Sequence, residues 1–178
     1  MSEGARLSHA EGMAIASDFM HQLRSEVRRI EIAGSLRRNK ATVGDIELVC
    51  IPETYDHEDM FGNVIDVISG LDELVPQLGY PLIKNGSKFK QIDLGRVKCD
   101  LFITTPEQWG VIFLIRTGSA DFSHRFVTPK RQGGYMPTGM QIQDGRLWRF
   151  GQAVETPEET DVFREVGLNY TPPTMREL

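Results

Sequence analysis

Three carboxylates stand out by position: Asp45, Glu47 and Asp100. Residues two apart on a strand point to one face, so Asp45 and Glu47 present two acids side by side. Like charges that close are unfavourable unless a cation lies between them. Oxygen ligands suit a hard divalent ion such as magnesium, which completes its shell with water and substrate phosphate. Two such ions about 4 Å apart can activate an attacking hydroxyl and stabilise a leaving pyrophosphate. The ion nearer the hydroxyl needs a third acid on a neighbouring strand. Asp100 fits, because it interrupts the otherwise strand-like run from Val97 to Phe102. Taken alone, an Asp-x-Glu pair is an ordinary exposed strand feature.

What precedes the pair makes it more specific. Gly34 closes a short strand and Ser35 can open a helical turn. Backbone N–H groups at such a turn point outward and form an anion site. The Ser35 hydroxyl adds a donor, and Arg38 can return to the same side and fork onto phosphate oxygens. Gly44 lets its backbone approach a phosphate chain closely. A phosphate cradle thus stands just before a carboxylate pair.

The elements that must position these residues are legible as patterns. Ser8 and Glu11 have capping-box spacing, and Ile15, Phe19, Leu23 and Val27 recur at intervals of four, which predicts a helix over 8–29. Strands are expected over 30–34 and 45–51, the second running apolar until Pro52. The acidic segment from Tyr55 to Asn63 reads as a loop, and Val64 to Leu78 as a helix weakened by Gly70 and Pro76. Strands over 80–84, 88–94 and 96–104 are separated by Asn85-Gly86 and Leu94-Gly95 turns. Helices follow over 107–115 and 121–131, then short strands over 135–150 around Asp144-Gly145. A last helix starts with Thr156 as cap and Pro157 in its first position and ends at Gly167. The boundary falls near Thr117, between an α/β part and a smaller α+β part.

The chain has 178 residues and a net charge of −5. Its basic residues gather in two stretches, one around Arg24, Arg28, Arg29, Arg37, Arg38 and Lys40. The other runs from Lys84, Lys88, Lys90, Arg96 and Lys98 through Arg149. So uneven a field can steer an anionic substrate to one face, while the negative total predicts weak, salt-sensitive nucleic-acid binding. No apolar run approaches the roughly 18 residues of a membrane span. Met1 to Ala10 has no leader-like apolar core, and a cytoplasmic protein is the expectation. Cys50 and Cys99 read as buried free thiols. His9, His21, His57 and His124 have no paired spacing and none is assigned to a metal. Tyr135, Trp148 and Phe150 read as core rather than as stacking platforms.

The run Gly34-Ser35-x-x-Arg38, then Gly44-Asp45-x-Glu47 and Asp100, resembles the nucleotidyltransferase signature of family X DNA polymerases. Thr117-Gly118-Ser119 is similar to the Thr-Gly-Ser turn of the DNA polymerase beta group, and the stretch from Thr156 to Pro173 to the close of its thumb. The resemblance covers roughly residues 30–178, in a chain similar in size to the reduced viral members. It implies an α/β (α+β) fold: a nucleotidyltransferase palm with a mixed or antiparallel sheet over 1–116, and a thumb-like domain over 117–178.

Several roles follow from the resemblance. Asp45 and Glu47 would bridge two Mg2+ ions, with Mn2+ able to substitute, and Asp100 would bind the catalytic one. Gly34, Ser35, Arg38 and Gly44 would hold the β and γ phosphates. Thr117, Gly118 and Ser119 would line the sugar and base of a deoxynucleoside triphosphate, with a cis peptide after Gly118. Ser123 would make a minor-groove contact. Lys84, Ser87, Lys88, Lys98 and Arg125 would meet DNA, as primer-template or gapped duplex. The protein would act as a monomer, in a host cytoplasm if viral, and without a membrane.

Three positions depart from the pattern. Glu47 replaces aspartate, Arg116 replaces an aromatic residue, and Val127 replaces an arginine against the templating base. All three imply low fidelity. The alternatives are nucleotidyl transfer to an RNA end, a protein hydroxyl or a small molecule, and a non-catalytic nucleotide-binding protein.

Overall fold

The computed structural model describes residues 6–61 and 63–177, so Met1 to Ala5 of the stretch read for a leader lies outside the described residues. Strand β1 (Leu7–Ser8) leads straight into α1 (His9–Leu23). The expected capping box is present: the Ser8 hydroxyl accepts from the Glu11 amide at 3.3 Å, and the Glu11 carboxylate accepts from the Ser8 amide at 3.0 Å. Two orphan donors of the first turn are thereby satisfied. The buried stripe is Gly12, Ala16, Phe19 and Leu23, the helical period of a packed face. Ile15 is only half-buried.

The helix is shorter than expected. It ends at Leu23, a 3-10 turn follows over Arg24–Glu26, and β2 occupies Val27–Ile32. Val27, read as the end of the helical stripe, pairs instead with Pro52 across a bulge. Long-range strand pairing overrides the local period here.

After β2 come α2 (Gly34–Arg37), β3 (Thr42–Val43) and β4 (Ile46–Pro52). The next two elements correct the sequence reading. β5 (Thr54–Glu58) and β6 (Val64–Ser69) form a two-stranded antiparallel sheet, where a loop and the start of a helix were expected. Val64, Ile65, Val67 and Ile68 are β-branched and favour the pleated conformation. The helix is confined to α3 (Gly70–Gln77), capped by the Ser69 hydroxyl. Then follow β7 (Leu82–Asn85), β8 (Phe89–Asp93) and β9 (Lys98–Ile103), close to the expected hairpins. The remaining elements are α4 (Trp109–Thr117), α5 (Ala120–Val127), β10 (Met140–Gln143), β11 (Arg146–Arg149), β12 (Gln152–Val154) and α6 (Glu159–Glu165). The structure is a mixed α and β fold. No described helix is long and apolar enough to cross a membrane.

The chain divides into two compact units. One holds the residues up to Ile32 together with Thr42–Ile103; the other holds Ala33–Ala41 and the chain from Thr104 on. This differs from a division at 117.

The first unit is built on a five-stranded sheet of order β2-β4-β9-β8-β7. β4 and β9 run parallel, and the other neighbours are antiparallel. β4 is central and buries Ile46, Leu48, Val49, Cys50 and Ile51, the composition of a strand covered on both faces. Both thiols are fully buried and unbonded to each other, as expected.

The second unit has a core of Val111, Leu114, Phe122, Phe126, Met136, Leu147, Val162, Phe163 and Val166. Helix α4 contributes Val111 and Leu114 to it, which is why contacts assign α4 here although chain order suggested otherwise. Gly110 is essential to this packing: a Cβ there would come within 2.3 Å of the Thr156 carbonyl oxygen. The β10-β11 turn is Asp144-Gly145 as expected, both residues at positive φ, 51° and 72°. The cap of α6 lies two residues beyond the expected Thr156, at Glu158, boxed with Asp161. Phe150, read as core, is 80% exposed. It opens the tight Phe150-Gly151 turn between β11 and β12, at φ 48°, and lies over Gly139, whose carbonyl accepts from the Phe150 amide at 2.7 Å.

Candidate active site

The three singled-out carboxylates all lie in the first unit. Asp45 stands in a bend immediately before β4, exposed, and Glu47 is the second residue of that strand, half-buried. Across the parallel ladder Glu47 is the register partner of Asp100 on β9. Register partners on adjacent strands share a face, so two carboxylates from segments far apart in sequence become neighbours. Asp100 is in turn the register partner of Gln91 on β8, and Gln91 pairs with Lys84 on β7. The row across the sheet reads Glu47, Asp100, Gln91, Lys84. The Gln91 amide donates to Asp100 Oδ1 at 2.8 Å.

The convergence of charge is felt by the thiol beneath. Burial pushes the Cys99 thiol well up, and the negative charges of Asp100, Asp45 and Glu47 add to it. The oxygens of Asp45, Glu47 and Asp100 are hard donors, of the kind that suits Mg2+ or Mn2+ and not a soft metal. Among the described residues no group of three His, Cys, Asp or Glu side chains is drawn together in a disposition that would itself hold an ion. The fit therefore rests on ligand chemistry and strand register.

The residues expected to cradle phosphate lie in the second unit, except Gly44. Helix α2 is one turn, entered through Gly34 at φ 56°, a left-handed conformation that favours glycine. Ser35 is half-buried on it. Arg38 does not stand open. Its Nε donates to Glu177 at 2.6 Å, and its Nη1 to the carbonyls of Thr117 and Gly118 at 2.8 and 3.1 Å. Lys40 also reaches Glu177, at 3.0 Å. Burial raises the Glu177 carboxyl, but hydrogen bonds from Lys40 and Arg38 outweigh it and hold the group below the usual carboxylate range. Gly44, in the first unit, is exposed, with open space where a Cβ would be.

Arg37, which the sequence counted among surface basic residues, is a structural hub. Its two terminal nitrogens fork onto Glu159 at 2.7 and 2.8 Å, one also donates to the Thr117 hydroxyl at 2.7 Å, and the guanidinium stacks 3.8 Å from the Phe113 ring centroid. Glu159 also accepts from Arg176 at 2.8 Å and from the Tyr170 hydroxyl at 2.7 Å. Arg176 is fully buried and lies 5.2 and 5.3 Å from the Phe163 and Tyr170 rings. Burial raises the Glu159 carboxyl, and the hydrogen bonds from Arg37 and Arg176 outweigh it, leaving it at about 2. Sequence reading missed this cluster because Arg37 and Glu159 are 122 residues apart and share no motif spacing.

The Thr117-Gly118-Ser119 turn is thus clasped by both arginines. Thr117 is fully buried, Ser119 caps α5 by accepting from the Phe122 amide at 3.2 Å, and the Ser123 hydroxyl donates to the Ile115 carbonyl at 2.7 Å. A Cβ on Gly118 would meet Phe122 and Ser123 at 2.6 Å. The described residues contain no cis peptide, so the Gly118-Ser119 bond expected as cis is trans. The turn is made instead by two extended residues, Gly118 at ψ 157° and Ser119 at ψ 163°.

Lys84, Ser87, Lys88 and Lys98 are exposed in the first unit. Lys84 lies 5.6 Å from the Phe89 ring, and Lys98 is the register partner of Asp93. Lys90, grouped with them by sequence, is 1% exposed and bound to Asp72 at 2.6 Å and to Asn85, so it adds nothing to a surface field. Arg125 lies 5.2 Å from the Tyr135 ring, beside a cavity of about 360 Å³ that His124, Thr128 and Gly134 also line.

The first unit carries acids on its parallel strand pair, and the second holds a clasped Thr-Gly-Ser turn. In sequence the chain is family X polymerase-like. The chain is similar to DNA polymerase lambda of Rattus norvegicus, 26% identical over 164 aligned residues that cover 81% of this chain. The match spans 28% of that relative's length. No family model matches the chain.

Proposed function

We propose that this chain is a nucleotidyltransferase that extends DNA: a family X-type polymerase adding deoxynucleotides to a primer 3′ hydroxyl, with release of pyrophosphate. The observation that carries the reading is the Glu47–Asp100 register pair, with Asp45 two residues before Glu47. The catalytic work falls to the first unit and nucleotide selection to the second. Asp45, Glu47 and Asp100 would hold two Mg2+ ions. Bound there, the ions lower the pKa of the attacking hydroxyl and neutralise charge on the phosphates. Asp45 and Glu47 would hold both ions, and Asp100 would hold the one that serves the attacking hydroxyl. Ser35 and Arg38 would bind the β and γ phosphates, Arg38 exchanging its Glu177 partner for them. Thr117, Gly118 and Ser119 form the sugar-side wall by their backbone. Lys84, Ser87, Lys88 and Lys98 lie against DNA phosphate.

Primer extension on a one-nucleotide gap and on an open template, with Mg2+ or Mn2+ and with deoxy- or ribonucleotides, tests this. Template-directed extension that vanishes in Asp45→Ala and Asp100→Ala supports it. One observation favours a different acceptor: Arg37, Lys90 and Arg176 are consumed by internal ion pairs, which leaves a modest basic surface in a chain of net charge −5. Folded protein that binds nucleotide but extends no primer would move the assignment to an RNA end, a protein hydroxyl or a small molecule.

A further inference from the structure

Gln91 occupies the one position in the acid row with neither charge nor an apolar side chain. It is half-buried on β8, between Asp100 on one side and Lys84 on the other. Its strand neighbours Lys90 and Ile92 point to the opposite face and are buried. A carboxylate that must hold a cation has two requirements: a fixed plane, and a charge left intact. A lysine or arginine beside it would fix the plane and cancel the charge. An apolar residue would leave the charge and let the group rotate. A carboxamide meets both, because it donates one hydrogen bond and carries no net charge. The Nε2 to Oδ1 distance of 2.8 Å shows that this bond is made.

We infer that Gln91 is a positioning residue for Asp100. It fixes one carboxylate oxygen by hydrogen bonding, so that the acid would present itself to a bound ion in one orientation. The inference rests on the proposed two-metal reading. Hydrogen-bond partners that orient a metal-binding side chain typically change metal affinity by about tenfold to a hundredfold when removed.

The experiment uses the full chain and Mn2+ ions alone, followed by electron paramagnetic resonance without DNA or nucleotide. Gln91→Met keeps length and volume and loses the donor; Gln91→Leu is a second donor-free variant, and thermal unfolding shows that each folds. The expected result is Mn2+ binding weaker by about tenfold or more. In primer extension, the Mg2+ concentration for half-maximal rate should rise by a similar factor, with the nucleotide KM nearly unchanged. Extra Mg2+ should restore the rate, which it would not do for a damaged fold. Folded Gln91→Met or Gln91→Leu with wild-type Mn2+ affinity overturns the inference, provided that Asp100→Asn loses the ion. If Asp100→Asn itself binds Mn2+ as the wild type does, it is the two-metal reading that fails.

Discussion

Arg38 and Glu177 form an ion pair at 2.6 Å in which Arg38 is 12% exposed and Glu177 37%. A carboxylate thus sits on the guanidinium that is proposed to receive phosphate, and Lys40 shares it. Removing that charge should favour an incoming triphosphate. Glu177→Gln is expected to tighten binding of a non-hydrolysable deoxynucleoside triphosphate by about twofold to fivefold, the scale of one partly exposed ion pair. Arg38→Ala should weaken it. Isothermal titration calorimetry reads both. Weaker binding in Glu177→Gln would mean that Glu177 holds Arg38 in its working position.

Glu159 is surrounded by two arginines and a tyrosine hydroxyl in a nearly dry site. Glu159→Ala strands Arg37 and the buried Arg176 without their acceptor. The expected cost is about 3–5 kcal/mol, read from urea denaturation. The same carboxylate makes stability depend on acid. Its folded pKa is depressed to about 2 from an ordinary value of 4.5. Its contribution, on the order of 3 kcal/mol, is present above the unfolded value and is lost as pH falls from there through the folded one. Glu159→Gln should flatten that acid limb.

The acids proposed to hold metal give a sharper test. Asp45→Ala and Asp100→Ala should abolish transfer while leaving thermal stability within about 1 kcal/mol, because neither residue fills the core. Glu47→Asp shortens one ligand by a methylene and should change the ratio of Mg2+-supported to Mn2+-supported extension. An unchanged ratio would separate Glu47 from the ions.

Lys90 is a buried cation held by Asp72 and Asn85. Asp72→Ala leaves that ammonium short of a charged acceptor and should destabilise by about 1–3 kcal/mol. Lys90→Met removes the buried charge itself and should be close to neutral or stabilising. Chemical denaturation of the two variants orders them, and a Lys90→Met more damaging than Asp72→Ala would contradict the argument.

Cys50 and Cys99 are both fully buried, and burial pushes the Cys50 thiol up to about 12. Neither should react with an aromatic disulfide reagent at neutral pH until the protein unfolds. Two thiols should then appear together with loss of structure. Reaction of the native protein would show that the central strands open locally.

Much of this protein is local chemistry, and the sequence determines it. Ser8 and Glu11 set the start of α1 because a capping box needs only four residues. Asp144-Gly145 sets a hairpin because two positive φ angles suit those residue types. Asp45, Glu47 and Asp100 could be singled out because acids inside apolar strand patterns are conspicuous. Tertiary structure decided the rest. Val27 left its helix and Val64 its predicted one because strand pairing, not local period, satisfied their backbones. The partnership of Glu47 with Asp100 and Gln91 exists only in the register of β4, β9 and β8, a ladder that joins residues 53 positions apart and closes through no short motif. The Arg37–Glu159–Arg176 cluster likewise depends on packing that brings distant segments of one unit together. Residue type sets what a side chain can do; which partner it meets is fixed by non-local hydrogen bonding and burial, and spacing along the chain does not encode that.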